Sequence, residues 1–178
     1  VGTRNTIRLS AEYRDGESNS FPAPGNGDFG YETLAASVMW NRKFSDSIEL
    51  TLAGRYDHVD WSRDGDLDPA LYPFSREDYD VTIEEFSYNA ALVWRPQFGG
   101  TMRFSTGRGV LAPTMFDIGF GLPVTVGGNT LVISGDPNIE PAIVTNYEIA
   151  YDRALSPTVD LRAAVFHHET EKDRGAFG

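Results

Sequence analysis

In "RDGDLDP", Asp64, Asp66 and Asp68 stand at every second position, a spacing that clusters the oxygen ligands hard cations such as calcium favour. A calcium loop of the EF-hand kind also needs glycine at its sixth position and a distal Glu at its twelfth, and Pro69 and Ser75 stand there instead. The stretch reads as a solvated acidic loop, and no metal site is assigned. His167 and His168 are neighbours on a strand-like run. Their side chains point to opposite faces and cannot chelate one ion together. Gly107-Arg108-Gly109 could be read as a phosphate cradle, but such loops need a following helix N-terminus. None is predicted, so a flexible rim loop is the expectation. There is no nucleophile-elbow sequence and no metal-ligand pair at helical spacing, so no catalytic residue and no cofactor is assigned.

What remains is binding chemistry. One long segment carries Trp61, Arg63, Tyr72, Phe74, Arg76 and Tyr79, and another carries Arg108, Phe116, Phe120 and Asn129. Aromatic and Arg side chains are typical contact anchors. Trp61, Arg63, Tyr72, Arg76, Tyr79, Arg108, Phe116 and Phe120 are the candidate ligand contacts. The competing reading is that these residues pack the loops against one another.

The elements that must position them are strands. Period-two alternation marks seven, at about 3–14, 31–43, 47–60, 83–95, 100–107, from about 146, and 158–170. One side holds Ile7, Leu9, Leu34, Val38, Trp40, Leu50, Leu52, Tyr56 and Trp94; the other holds Arg8, Glu12, Glu49, Arg55, Asp57, Arg103, Glu148 and Asp152. Nothing reads as a helix of useful length. The connections "KFSDS", "RPQFGG" and "RALSPT" are short, whereas about 15–30, 61–82 and 108–142 are long. That strict alternation matches an outer-membrane barrel, with tight periplasmic turns and elaborate extracellular loops. Aromatics at both ends suit the two membrane interfaces. Tyr88 to Trp94 rises only roughly 14 Å at ~45° tilt, short of the apolar band of about 25 Å, so one of the pair is expected inside the band or the girdle is ragged. Mixed charges on the other face would be expensive in a dry core and suit a large, wet or plugged lumen.

Composition agrees. The longest uninterrupted apolar run is Ala90 to Trp94, far below the roughly 20 residues a membrane helix needs. A net charge of −11 over 178 residues argues against nucleic acid, and the absence of cysteine removes disulfides and thiolate metal sites. The chain begins at Val1 without a signal peptide and stops at Gly178 after a strand-like run, so a piece of something longer is expected.

Two stretches go further. "STGRGVLAPTMFDIGFG" carries Arg108, Gly109, Ala112, Pro113 and Thr114. "GDPNIEPAIVTNYEIAYDR" carries Gly135, Pro137, Pro141, Tyr147, Glu148 and Tyr151. In this order they resemble paired motifs of the TonB-dependent outer-membrane receptor family, with Ala142 where the family often has Glu and Ala150 where it often has Gly. The resemblance implies an all-β, antiparallel transmembrane barrel, here seven strands of a 22-stranded wall around a plug. It implies residence in the outer membrane of a Gram-negative bacterium, contact with outer-membrane lipid, and active uptake of a scarce metal chelate such as a ferric siderophore. It also implies coupling to the periplasmic TonB system through a plug domain. Plug, signal peptide and terminal strand have no counterpart in residues 1–178. The rival readings are a smaller outer-membrane barrel, either passive channel or barrel enzyme, and a soluble lipocalin-like binding barrel.

Overall fold

The computed structural model describes residues 4–19, 27–70 and 72–172. Seven strands form one antiparallel sheet: β1 (Asn5–Ser18), β2 (Asp28–Lys43), β3 (Ile48–Asp64), β4 (Val81–Trp94), β5 (Thr101–Leu111), β8 (Ala142–Ser156) and β9 (Val159–Glu171). Each pairs with its neighbour in chain order, and the sheet is open, with β1 and β9 at its two edges. Between β5 and β8 stand α1 (Met115–Gly119) and a separate hairpin of β6 (Gly121–Val126) and β7 (Asn129–Ser134).

The register carries the two faces across the sheet without a break. Leu9 pairs with Val38, Trp40 with Leu52, Leu50 with Leu92, Leu92 with Phe104, Phe104 with Ile149, and Ile149 with Val165. Directly paired residues share a face, and a one-residue slip would invert it. This apolar face is open, with Leu9 at 77% and Val165 at 76% exposure. A patch of that extent does not belong in water. The polar face is tied by cross-strand ion pairs. Arg55 reaches Glu12, two strands away, at 3.1 Å and Asp57 at 2.6 Å. Ala35, which lies between Glu12 and Asp57 in the register, is buried beneath them. Arg103 meets Asp152 at 2.5 Å, and Asn41 donates to Glu49 at 2.9 Å and to Thr51 at 2.8 Å.

The register also settles the aromatic girdle. Tyr88 lies opposite Gly54, inside the band, whereas Phe86 lies opposite Tyr56. From Trp94 to Phe86 the chain rises roughly 19 Å, nearer the apolar band of about 25 Å. Immediately above, the same face turns polar: His58 contacts Asp60 at 2.9 Å and Glu84 at 3.1 Å, and Thr82 donates to Asp60 at 2.6 Å.

Several sequence expectations are corrected. β1 and β5 run past residues 14 and 107, β3 past 60, and β8 begins at Ala142 rather than near 146. Gly107, Arg108 and Gly109 therefore sit within β5 and are no flexible rim loop. These ends rise above the apolar band, where hydrophobic alternation fades while the backbone ladder continues. The long segment before β8 contains a short helix and a hairpin, neither of which was expected. The hairpin has only six residues per strand and turns at Gly127-Gly128, both at positive φ (61° and 87°), the geometry of the tight turn that two-residue hairpins favour.

Candidate functional site

Above the girdle β3 continues to Asp64, and the alternation that puts Arg55 and Asp57 on the polar face puts Trp61 and Arg63 on the same side. Arg63 is 2% exposed. Its guanidinium carbon lies 4.1 Å from the Tyr72 ring centre, 4.7 Å from Tyr79 and 5.3 Å from Phe29. Its Nη1 donates to the Gly119 carbonyl at 3.0 Å, and its backbone N–H donates to Asp80 at 3.2 Å. A cation taken out of water is costly unless compensated, and three aromatic faces plus a carbonyl supply the compensation. Phe29, Tyr72, Tyr79 and Ile118 form the buried cluster around it, with Trp61, Leu67 and Phe74 packed against its edge. Burial pushes the Tyr79 and Tyr72 phenols above their ordinary range, an effect the neighbouring guanidinium partly offsets.

Arg63 thus joins three elements that are distant in sequence: the start of β2 through Phe29, the β3–β4 loop through Tyr72 and Tyr79, and the end of α1 through Gly119. α1 is held by a capping box. The Asp117 carboxylate accepts from Thr114 N–H and Oγ at 2.8 Å each, and the Thr114 hydroxyl accepts from Asp117 N–H at 3.3 Å. The turn after the hairpin closes onto this helix, with Gly135 N–H donating to Phe120 O at 2.6 Å and Asp136 N–H to Asp117 O at 2.9 Å. Pro113 and Pro137 are both buried. The two motifs of the sequence therefore hold each other. A β-carbon on Gly135 would lie 2.6 Å from the Ile118 carbonyl carbon, so Gly135→Ala is expected to part the turn from the helix. Hydrogen exchange should report this as faster exchange at Ile118–Phe120, with the β2–β3 ladder unchanged.

Of the candidate contacts, Arg63, Tyr72 and Tyr79 lie in the packed centre and Trp61 is half-buried at its side, 5.6 Å from the Phe29 ring. Arg76 and Phe116 are exposed. Phe120 is half-buried with its ring 5.7 Å from that of Phe116. Arg76 contacts Glu77 at 3.1 Å and Asp64 at 3.7 Å. Arg108 sits where the β4–β5 ladder ends, opposite Tyr88. It fills the split by donating to Glu85 at 2.9 Å and to the Phe86 carbonyl. Of the remaining motif residues, Gly109 and Ala112 are exposed at the top of β5, and Pro141 precedes β8. Tyr147 and Tyr151 share the apolar face of β8, and Glu148, opposite Ser105, faces the polar side. Sequence reasoning missed Phe29, Ile118, Gly119 and Gly121. The closely spaced glycines of "GFG" were the available signal, since a β-carbon on Gly121 would lie 2.6 Å from Tyr72 Cζ. Among the described residues no His, Asp and Glu group is placed to hold a metal ion.

A family profile described as TonB dependent receptor-like, beta-barrel matches residues 1–172. The chain belongs to that family. No curated protein and no solved structure matches it. TonB-dependent receptor barrels belong to the outer membrane of Gram-negative bacteria, and the family is one of transporters rather than enzymes. The open apolar face is then a lipid-facing wall, the ion-paired face lines the lumen, and the Arg63 cluster stands on the extracellular side. The soluble lipocalin-like alternative falls with that assignment.

Proposed function

We propose that this chain supplies wall strands and part of the capture surface of a receptor that imports a scarce nutrient chelate, with ferric siderophores the leading class. The observation that carries the reading is the Arg63 cluster. It gathers the outer segments into one ordered platform above the polar lumen face, a preorganised surface of the kind that binding favours. The loops capture the chelate, and the periplasmic TonB system drives its passage by acting on a plug domain. Arg76, Phe116 and Phe120 are the members of the candidate set with surface to offer a ligand, and Arg63, Tyr72 and Tyr79 hold the platform in shape.

A growth-rescue screen tests the proposal. Cells lacking the gene are starved of iron or cobalamin and supplied with individual ferric chelates or cobalamin. Growth on at least one of them is expected to require both the intact gene and a functional TonB system. Undiminished growth on every chelate and on cobalamin would refute the uptake role.

A further inference from the structure

The charge of this chain is not spread evenly. Residues 64–80 carry six carboxylates and one arginine, and residues 112–141 carry three carboxylates and no Lys or Arg. The short-turn rim is the reverse. Arg4, Arg8, Arg42, Lys43, Arg95, Arg103, Arg153 and Arg162 stand there against Asp46, Glu49, Asp152 and Asp160. Among the described residues the cations that could offset the acidic side are engaged within the protein: Arg63 under three rings and on Gly119 O, Arg108 on Glu85, Arg76 on Glu77 and Asp64, Arg14 on Glu12, and Lys172 on Glu140.

An anionic chelate approaching this sector would meet net negative charge and, among the described residues, no arginine facing it unpaired. A cation would meet carboxylates together with aromatic surface. Phe116 is exposed, with Phe120 beside it, and a recess of about 450 Å³ is lined by Asp66, Leu67, Tyr72, Phe74 and Arg76. The recess itself holds one acid and one arginine and contributes aromatic surface, whereas the charge excess belongs to the sector as a whole. Aromatic faces attract cations, and a surface of one net sign raises the local concentration of the opposite one. We propose that this sector of the receptor mouth draws in cationic cargo, admits neutral cargo and repels polyanionic chelates. The proposal rests on the chelate-receptor reading and narrows it to a charge class.

The experiment has two arms, both on the full-length receptor in outer-membrane vesicles. In the first, Ala70→Cys, on the exposed β3–β4 loop, is labelled with a neutral fluorophore and quenched by iodide, caesium and acrylamide. With each quenching constant divided by that of the same fluorophore free in solution, and acrylamide as the neutral control for access, caesium is expected to quench more than iodide, with the difference shrinking at high salt. Equal or stronger quenching by iodide overturns the proposal. In the second, one ferric trihydroxamate is offered with its terminal amine free, acetylated or succinylated, so that only the net charge changes. The cationic form should associate roughly tenfold faster than the anionic form at low salt. The triple variant D64N/D66N/D68N should close most of that gap, and Asp68→Asn leaves an oxygen for its contact with Ala70 N–H at 2.9 Å. An anionic form that associates as fast as the cationic one overturns the proposal. Caesium-favoured quenching with no chelate of any charge bound would leave the charge preference standing and count against the chelate-receptor reading instead.

Discussion

Arg63→Ala is expected to release the extracellular platform while leaving the barrel wall intact. The substitution removes a cation held by three aromatic faces and a carbonyl and leaves a void among Phe29, Tyr72, Tyr79 and Ile118. A desolvated cation–π contact and a charge-assisted hydrogen bond together are worth about 2–4 kcal/mol. The loss falls on loop opening rather than on the strand ladders, because the membrane band draws no support from this cluster. Protease cleavage within residues 65–80 should therefore accelerate by roughly a hundredfold, following the open population, with the heat-modifiable mobility of the barrel unchanged. Arg63→Met separates the causes. It keeps an apolar stem in the void and loses the charge, so it should fall between wild type and Arg63→Ala. Arg63→Lys should resemble Arg63→Met, since an ammonium does not stack on rings as a planar guanidinium does. Cleavage of Arg63→Ala at the wild-type rate would show that the loops are held by something other than this residue.

That result bears on what the sequence could disclose. The wall was legible because its physics is repetitive: every second residue from Ile7 to Tyr13, and again from Leu50 to Tyr56, meets the same environment, so the period survives in the letters. The short-turn and long-loop alternation was legible for a similar reason. The platform was not. Arg63 reads as a surface cation because nothing local announces that Phe29, Tyr72 and Tyr79 will close over it, and the cluster draws on three segments, β2 for Phe29, the β3–β4 loop for the two tyrosines and α1 for Ile118. Its role is created by tertiary packing. α1 escaped notice because five residues are too few to show a helical period; only the Thr114 and Asp117 cap spacing marks it. Strand ends were misplaced where the chain leaves the membrane, since alternation there no longer separates lipid from lumen.

The assignment of faces makes the second large expectation. Leu52 lies midway along the apolar band on β3, opposite Trp40 and Ala90. Leu52→Arg should destabilise the folded barrel in lipid by about 2–4 kcal/mol, the cost of a cation near the bilayer midplane. In a denaturant titration of barrels folded into vesicles, read by heat-modifiable mobility, that corresponds to roughly a 30- to 1000-fold fall in the folded-to-unfolded ratio. Ser105→Arg is the matched comparison. Ser105 lies on the polar face opposite Glu148, so the new cation meets a carboxylate and water instead of acyl chains, and the ratio should change by less than about threefold, the ordinary range for a surface substitution. The contrast is physical rather than chemical, because the introduced side chain is the same in both variants and only the medium it enters differs. Equal losses for the two variants, or a larger loss for Ser105→Arg, would mean that the Leu/Val/Trp side does not touch hydrocarbon. In that case the sheet would have been read inside out.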